Sequence, residues 1–323
     1  MELREIARDV YACLQEDRGL GWSNAGFVNL GGGLAVDTLF DLPRTRRMMD
    51  LYATVSRKPA RYLVNTHHNG DHTWGNQLFK DAEIIAHRLC AQEMEREKRQ
   101  DLLGLFQAGH SAPEHFPPGL RRFIDGMREF DFSGIDITLP NRLIEDRLDL
   151  DLNGSACHIV YVGPAHSAGD VIVHLPEHRV VYAGDILFNR CTPLGWDGTK
   201  AKWVEAIDLV ISLDPEVIVP GHGPLCDIDG ARELRAYFEY VYSEARHLFD
   251  DGLSPLEASK KIDLGPYAQW TEPERLIFNV ARAFREFRGE PWNAPFGDVM
   301  QLVMQAHELR VHWEEHTARN LSQ

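Results

Sequence analysis

Tyr62-Leu63-Val64-Asn65-Thr66-His67-His68-Asn69-Gly70-Asp71-His72 is the stretch from which the rest of this 323-residue chain is best read. It opens as a short apolar strand and runs directly into a loop holding three histidines, an aspartate and a glycine. Three later segments repeat the arrangement. Residues 157–162 lead into Gly163-Pro164-Ala165-His166, residues 180–183 into Gly184-Asp185, and residues 217–220 into Gly221-His222. Loops at one edge of a sheet gather such side chains on a rigid scaffold, and the glycines let the backbone turn sharply and approach closely. A single histidine after a strand is an ordinary surface or capping residue. Four coordinated occurrences argue for a divalent-metal site, because imidazole and carboxylate together suit zinc, iron or manganese.

Working outward, residues 27–30 and 34–38 read as a hairpin around Gly31 to Gly33. A helix over 43–56 precedes the strand at 61–65. A short strand at 83–86 is followed by a helix over 87–99. Residues 101–120 hold Gly104, Gly109, Pro113, Pro117, Pro118 and Gly119, so they read as a loop or broken helix and a candidate lid. Strands return at 137–139, 148–152, 157–162, 170–175 and 180–183, then a helix over 202–213 and a buried strand at 217–219. After Gly230 the periodicity is helical throughout, over 231–250, 255–262, 272–288 and 298–318. The expected organisation is a mixed β-rich catalytic body, residues 1–230, and a helical region, residues 231–323.

Composition narrows the function. Acidic side chains number 49 against 34 basic ones, a formal charge of −15. That balance argues against nucleic acid and against an anionic membrane surface, both of which reward clustered Lys and Arg. The five cysteines are scattered without a CxxC pair and read as reduced thiols. The charged N-terminus lacks an apolar signal core, and no apolar run reaches the roughly 18 residues of a membrane helix. A soluble, cytoplasmic protein acting on a small molecule is the expectation.

The histidine and aspartate pattern resembles that of the metallo-β-lactamase superfamily: His-x-His-x-Asp-His, a downstream His, a bridging Asp and a final His. Here the positions are His67, Asn69, Asp71 and His72, then His166, Asp185 and His222, with Gly75-Asn76 following as in the family. The resemblance covers roughly residues 5–225. It implies an α+β fold, an αββα sandwich of two mixed sheets flanked by helices, with the metal site at the edge between the sheets. It also implies one metal position made by the first, second and downstream histidines and another made by Asp71, His72 and His222, with Asp185 shared.

Asn69 departs from the family pattern, standing where the second histidine belongs. An amide oxygen is a harder, weaker ligand than imidazole, so affinity at the first position should fall. His68 replaces the missing ligand only if the loop changes register. Three outcomes stay open: two zinc ions with Asn69 as weak ligand or hydrogen-bond partner; one zinc at the second position only; or His67, His166 and Asp185 as a facial set for non-haem iron, as in the dioxygenases of the superfamily.

The chemistry expected from the resemblance is hydrolysis. Metal lowers the pKa of bound water, and the resulting hydroxide attacks an ester, thioester, lactone or amide carbonyl, with Asp71 orienting the nucleophile. A thioesterase, cyclase or lyase acting on a polyketide-type substrate is an alternative, and so is a member that only binds metal or ligand. Asp185 at the bridging position argues against a true β-lactamase. Trp74 is the foremost candidate for substrate contact, being two residues past His72. Phe106, Phe116, Trp196, Tyr267 and Trp270 are further aromatics for the entrance, and Arg121 and Arg122 are candidates for an anionic group. His110 and His115 lie in the irregular loop. Cys226 reads as a buried thiol, and His312 and His316 as a solvated helix face. The C-terminal helices either cover the pocket or form a homodimer interface.

Overall fold

The computed structural model describes residues 1–100, 103, 104, 107, 111, 113–195, 197–293 and 299–321. Two mixed sheets stack face to face. The first has seven strands in chain order: β1 (Glu2–Ala7), β2 (Val10–Leu14), β3 (Ala25–Val28), β4 (Leu34–Val36), β5 (Tyr62–Val64), β6 (Glu83–His87) and β7 (Arg142–Ile144). β1 to β4 form an antiparallel meander, and β4 to β7 run parallel. The second sheet comprises β8 (Arg147–Asp151), β9 (Ala156–Tyr161), β10 (Val171–Leu175), β11 (Val180–Phe188) and β12 (Val217–His222), in reverse spatial order. Its pairs are antiparallel except β11 with β12.

Alternation along the strands builds the layers, because successive side chains leave opposite faces of a sheet. Val10, Leu34, Val36, Tyr62 and Val64 of the first sheet meet Val171, Val173, Val180, Tyr182 and Val219 of the second in one buried cluster. The intervening Ala35 and Leu63 face outward onto Met48 and Tyr52 of α1 (Leu42–Val55). That helix starts at Asp41, whose side chain accepts from the Arg44 amide, with Pro43 in the first turn. On the far side, Ile172, Val181, Ala183 and Ile218 pack against α5 (Lys200–Ser212) and α6 (Ile228–Asp250) through Trp203, Ile207, Leu234 and Phe238. The result is the expected αββα sandwich.

The remaining helices are α2 (Gly70–Thr73), α3 (Arg88–Gln100), α4 (Pro118–Gly126), α7 (Pro255–Lys261), α8 (Leu276–Phe287) and α9 (Val299–Leu321). α7, α8 and α9 continue the same apolar cluster that covers the second sheet, through Ala258, Ile277, Phe284, Val303 and Leu309. Among the described residues no helix is long and apolar enough to cross a membrane.

Several elements differ from the sequence expectation. The N-terminus forms the hairpin β1–β2, in which Glu2, Arg4 and Glu5 point charge outward on an edge strand. Residues 137–139 are not a strand; the edge partner of β6 is β7, displaced to Arg142–Ile144. Asp185 lies within β11 rather than in a loop after it. The parallel pairing with β12 shifts register around Gly184, whose φ of +51° bends the strand without ending it. The helix expected over 272–288 begins as a 3-10 turn at Pro273–Arg275, because Glu272 adopts a left-handed conformation at φ +51°.

Candidate metal centre

Four elements bring their polar residues to one end of the sandwich. β5 runs into the segment whose short α2 carries Asp71 and His72. The β9–β10 connection supplies His166, β11 supplies Asp185, and β12 ends on His222. The side chains converge as two buried triads, His67–His166–Asp185 and Asp71–His72–His222, with the ligand-type atoms of each triad within 4.8 Å of one another. Asp185 joins them. Its Oδ1 is 3.2 Å from His72 Nε2, and its Oδ2 is 3.4 Å from His166 Nε2, 3.5 Å from His222 Nε2 and 3.7 Å from His67 Nε2. Asp71 Oδ2 lies 3.3 Å from His222 Nε2.

Three of the four outer ring nitrogens are engaged, while His222 Nδ1 is buried with no hydrogen-bond partner among the described residues. His72 Nδ1 meets Asp37 Oδ2 at 3.0 Å, His166 Nδ1 meets the Leu194 carbonyl at 3.0 Å, and His67 Nδ1 meets Thr66 Oγ1 at 3.0 Å. These contacts turn the Nε2 of His67, His72 and His166 inward, which is how second-layer partners present imidazole to a cation. The donor set fits a metal: His67 Nε2, His72 Nε2 and Asp185 Oδ1 are buried with no hydrogen-bond partner, an arrangement native proteins otherwise avoid.

Electrostatics agree. Burial works against the Asp185 carboxylate, but His222, His72, His67 and His166 outweigh it and hold the group well below its ordinary range. Burial likewise opposes charge on His222, and the carboxylates of Asp185 and Asp71 overcome it, raising the imidazole to about 9. A buried cluster this rich in anionic oxygen attracts positive charge.

Asn69 and His68 go opposite ways. Asn69 Oδ1 is 3.2 Å from His166 Nε2, at the His67–His166–Asp185 triad. His68 belongs to neither triad; its Nε2 is 3.7 Å from Glu97 Oε1 on α3. Asn69, rather than His68, is thus the residue of this loop that lies beside the triad.

Asp37 was not singled out in the sequence. It follows β4 and receives hydrogen bonds from the Thr66 amide and hydroxyl at 2.7 Å each. Its signal was the same one that marked the others, an acidic residue immediately after an apolar strand. Ser23 and Asn24 were missed as well. Ser23 Oγ donates to the Asp71 carbonyl at 2.5 Å, and Asn24 Nδ2 donates to the carbonyls of Pro220 and Gly223 at 3.0 and 2.8 Å. Gly221 lies so close to Asp185 that a Cβ there would overlap Oδ1.

A cavity of about 1020 Å³ opens over Asn69, Gly70 and Asp71. Phe40, Trp74, Leu194 and Phe123 give it apolar walls, α3 contributes Glu93, Arg96 and Glu97, and α9 contributes Met300, Val303 and His307. Trp74 thus reaches the cavity, though it is almost wholly buried and stacked on Phe40 at 4.9 Å. Of the C-terminal helices, α9 forms one wall of this cavity.

Arg121 and Arg122 line the cavity too, but Arg122 faces Glu274 at 4.0 Å and Arg121 donates to the carbonyls of Glu114 and Phe116. Phe116 and His115 are not among the lining residues. Tyr267 and Trp270 pack on Tyr237 instead, at 5.2 and 5.1 Å. Cys226 exchanges backbone hydrogen bonds with Ile218, and burial pushes its thiol up to about 12. His312 and His316 lie along α9, where His316 Nδ1 is 2.9 Å from the His312 carbonyl. Phe106, His110, Trp196 and much of the candidate lid lie outside the described residues.

Residues 18–222 match the sequence profile of the metallo-beta-lactamase superfamily, well over half of the chain. The chain belongs to that superfamily. Within it, the chain is similar to a linear primary-alkylsulfatase of Pseudomonas sp. (strain ATCC 19151), 24% identical over 258 residues, covering 73% of this chain and 49% of that one. It is also similar to a hydroxyacylglutathione hydrolase of Brucella abortus (strain 2308), 22% identical over 152 residues, covering 47% of this chain and 43% of the other. The solved structure of the inverting sec-alkylsulfatase Pisa1 from Pseudomonas sp. superposes with a TM-score of 0.67 at 18% identity, covering 91% of this chain and 51% of that one. The chain thus spans about half the length of the curated relatives it matches.

Proposed function

We propose that the protein is a metal-dependent hydrolase that holds two divalent cations, zinc foremost. One would be held by Asp71, His72 and His222, the other by His67, His166 and the Asn69 amide oxygen, with Asp185 shared between them. The single observation behind this reading is the convergence of two buried triads around Asp185, in which His67 Nε2 and His72 Nε2 have no hydrogen-bond partner among the described residues. Imidazole with carboxylate in this number suits zinc, and iron or manganese fit the same donors less selectively.

When bound, such cations supply Lewis-acid polarisation of the scissile group and acidify water. The chain's own residues do the rest. Asp71 borders both the cavity and the second triad, so its carboxylate is placed to accept the proton of the attacking water. Asp37, Thr66 and the Leu194 carbonyl hold the imidazoles in one tautomer and orientation. Trp74, Phe40 and Phe123 keep the approach apolar and limit water around the reacting bond.

Ester-type bonds are the proposed substrates: sulfate esters, carboxylic esters, thioesters and lactones. The names of the alkylsulfatase and hydroxyacylglutathione hydrolase relatives support this range. The test is turnover by zinc-loaded protein of an alkyl sulfate, a p-nitrophenyl ester, an acyl thioester and a lactone. Hydrolysis of at least one class, abolished by chelation and strongly reduced in Asp71→Ala, is the expected result. Fully metal-loaded protein that turns over none of the four would overturn the proposal.

A further inference from the structure

Among the described residues, several side chains of the cavity wall hold a buried polar atom with no hydrogen-bond partner, Glu272 Oε2 and His307 Nδ1 among them, and two such atoms belong to a neighbouring pair on α3 and the His67–Asp71 segment. His68 Nδ1 and Glu97 Oε2 are buried and without a partner among the described residues. Between the two groups the closest approach, His68 Nε2 to Glu97 Oε1, is 3.7 Å, beyond hydrogen-bond distance. Their side chains are only 9% and 13% exposed. Native structures satisfy nearly all such groups, and a pair left open calls for an explanation. Both residues line the cavity together with Asn69 and Asp71, so the pair borders the space a substrate would fill.

The surroundings select the missing partner. Glu93 and Asp197 line the same cavity, and Arg96, which α3 contributes beside Glu97, is already paired with Glu93 at 3.1 Å. Beside His68, α3 thus presents Glu93 and Glu97 with its arginine already paired, a stretch rich in acceptors. We propose that His68 and Glu97 form a recognition subsite for a hydrogen-bond donor, a hydroxyl or an amine, carried by the substrate close to its scissile bond. A hydroxyl would donate to Glu97 and accept from the His68 ring; an amine would donate to both. The His68 ring centroid lies 6.3 Å from that of His67, so a group held there lies close to the triads. The inference rests on the hydrolase reading and names part of its substrate.

Calorimetric binding of butanoate, β-hydroxybutanoate and β-aminobutanoate to zinc-loaded protein tests it, alongside turnover of their p-nitrophenyl esters. One substituted acid should bind about tenfold tighter than butanoate, the scale of one additional hydrogen bond. In Glu97→Leu that preference should collapse to within about twofold, with metal content unchanged and Tm equal to or above wild type, because an unsatisfied carboxyl has been removed. Glu97→Gln, which keeps one acceptor oxygen, should retain part of a hydroxyl preference and lose an amine preference. Equal binding of the three acids by wild type would overturn the inference, as would a lowered Tm in Glu97→Leu with the preference intact. A binding preference that disappears in Glu97→Leu, in protein that hydrolyses no ester at all, would uphold the subsite and overturn the hydrolase reading instead.

Discussion

Replacing Gly221 with alanine places a methyl group where the Asp185 carboxylate now lies. A Cβ at this position overlaps Asp185 Oδ1 and comes within 2.8 Å of the Gly184 carbonyl carbon and 2.9 Å of the Asp185 amide nitrogen. The backbone has little room to yield, because β11 and β12 pair in parallel here, with Gly184 opposite Pro220. The carboxylate must therefore withdraw by at least about 1.5 Å to reach ordinary contact distance. Metal sites tolerate ligand displacements of only about 0.2 Å, so a shift of that size takes Asp185 out of its own triad and away from His72 and His222 of the other. Overpacking of a buried site costs about 1–3 kcal/mol. In a domain of this size each kcal/mol moves Tm by roughly 2–4 °C. Thermal unfolding of chelated protein, with elemental analysis after reloading with zinc, reads both consequences. The expected variant melts several degrees lower and retains less than half the wild-type metal. Unchanged metal content and unchanged Tm would refute the reasoning, since Asp185 would then not occupy the space that Gly221 leaves open.

Three further perturbations separate the parts of the account. Asp37→Asn takes the carboxylate from His72 Nδ1 and should weaken zinc binding by about 10- to 100-fold in chelator competition; unchanged affinity would contradict the orienting role. Gly119→Leu sets a side chain against Met304 Cα and His307 Cβ, which a Cβ at Gly119 would approach to 3.0 and 3.1 Å. It should push α4 from α9, raise KM and leave metal content unchanged, whereas unaltered kinetics would mean that α9 does not shape the substrate space. Tyr182→Phe removes the hydroxyl that donates to the Tyr11 carbonyl at 2.8 Å between the two sheets, and should cost about 1 kcal/mol in denaturant unfolding without affecting metal content.

The sandwich was legible because its central strands are short, apolar and buried on both faces, and because each delivers a chemical residue at the same end. His67, Asp71, His72, His166, Asp185 and His222 announced themselves through that repetition and fall into the two triads. The edges were harder to read. β1 carries Glu2, Arg4 and Glu5 on an exposed strand, so no apolar alternation marks it, and β7 holds only three residues. Asp37 looked like the end of a hairpin strand until the fold brought it to His72, 35 residues away in sequence. Contacts across such distances have no local signature. The approach of His68 to Glu97 and the packing of Gly119 against α9 are of the same kind, set by how separate elements meet rather than by any pattern within one of them.

Metal stoichiometry tests the central claim most directly. Elemental analysis of protein purified without added metal, beside Asn69→His prepared identically, reports how many cations the two triads hold. Close to two divalent ions per chain in wild type, predominantly zinc, is the predicted result, with Asn69→His binding the same number more tightly. Protein that carries no divalent metal, and takes up none on exposure to zinc, would contradict the account at its root.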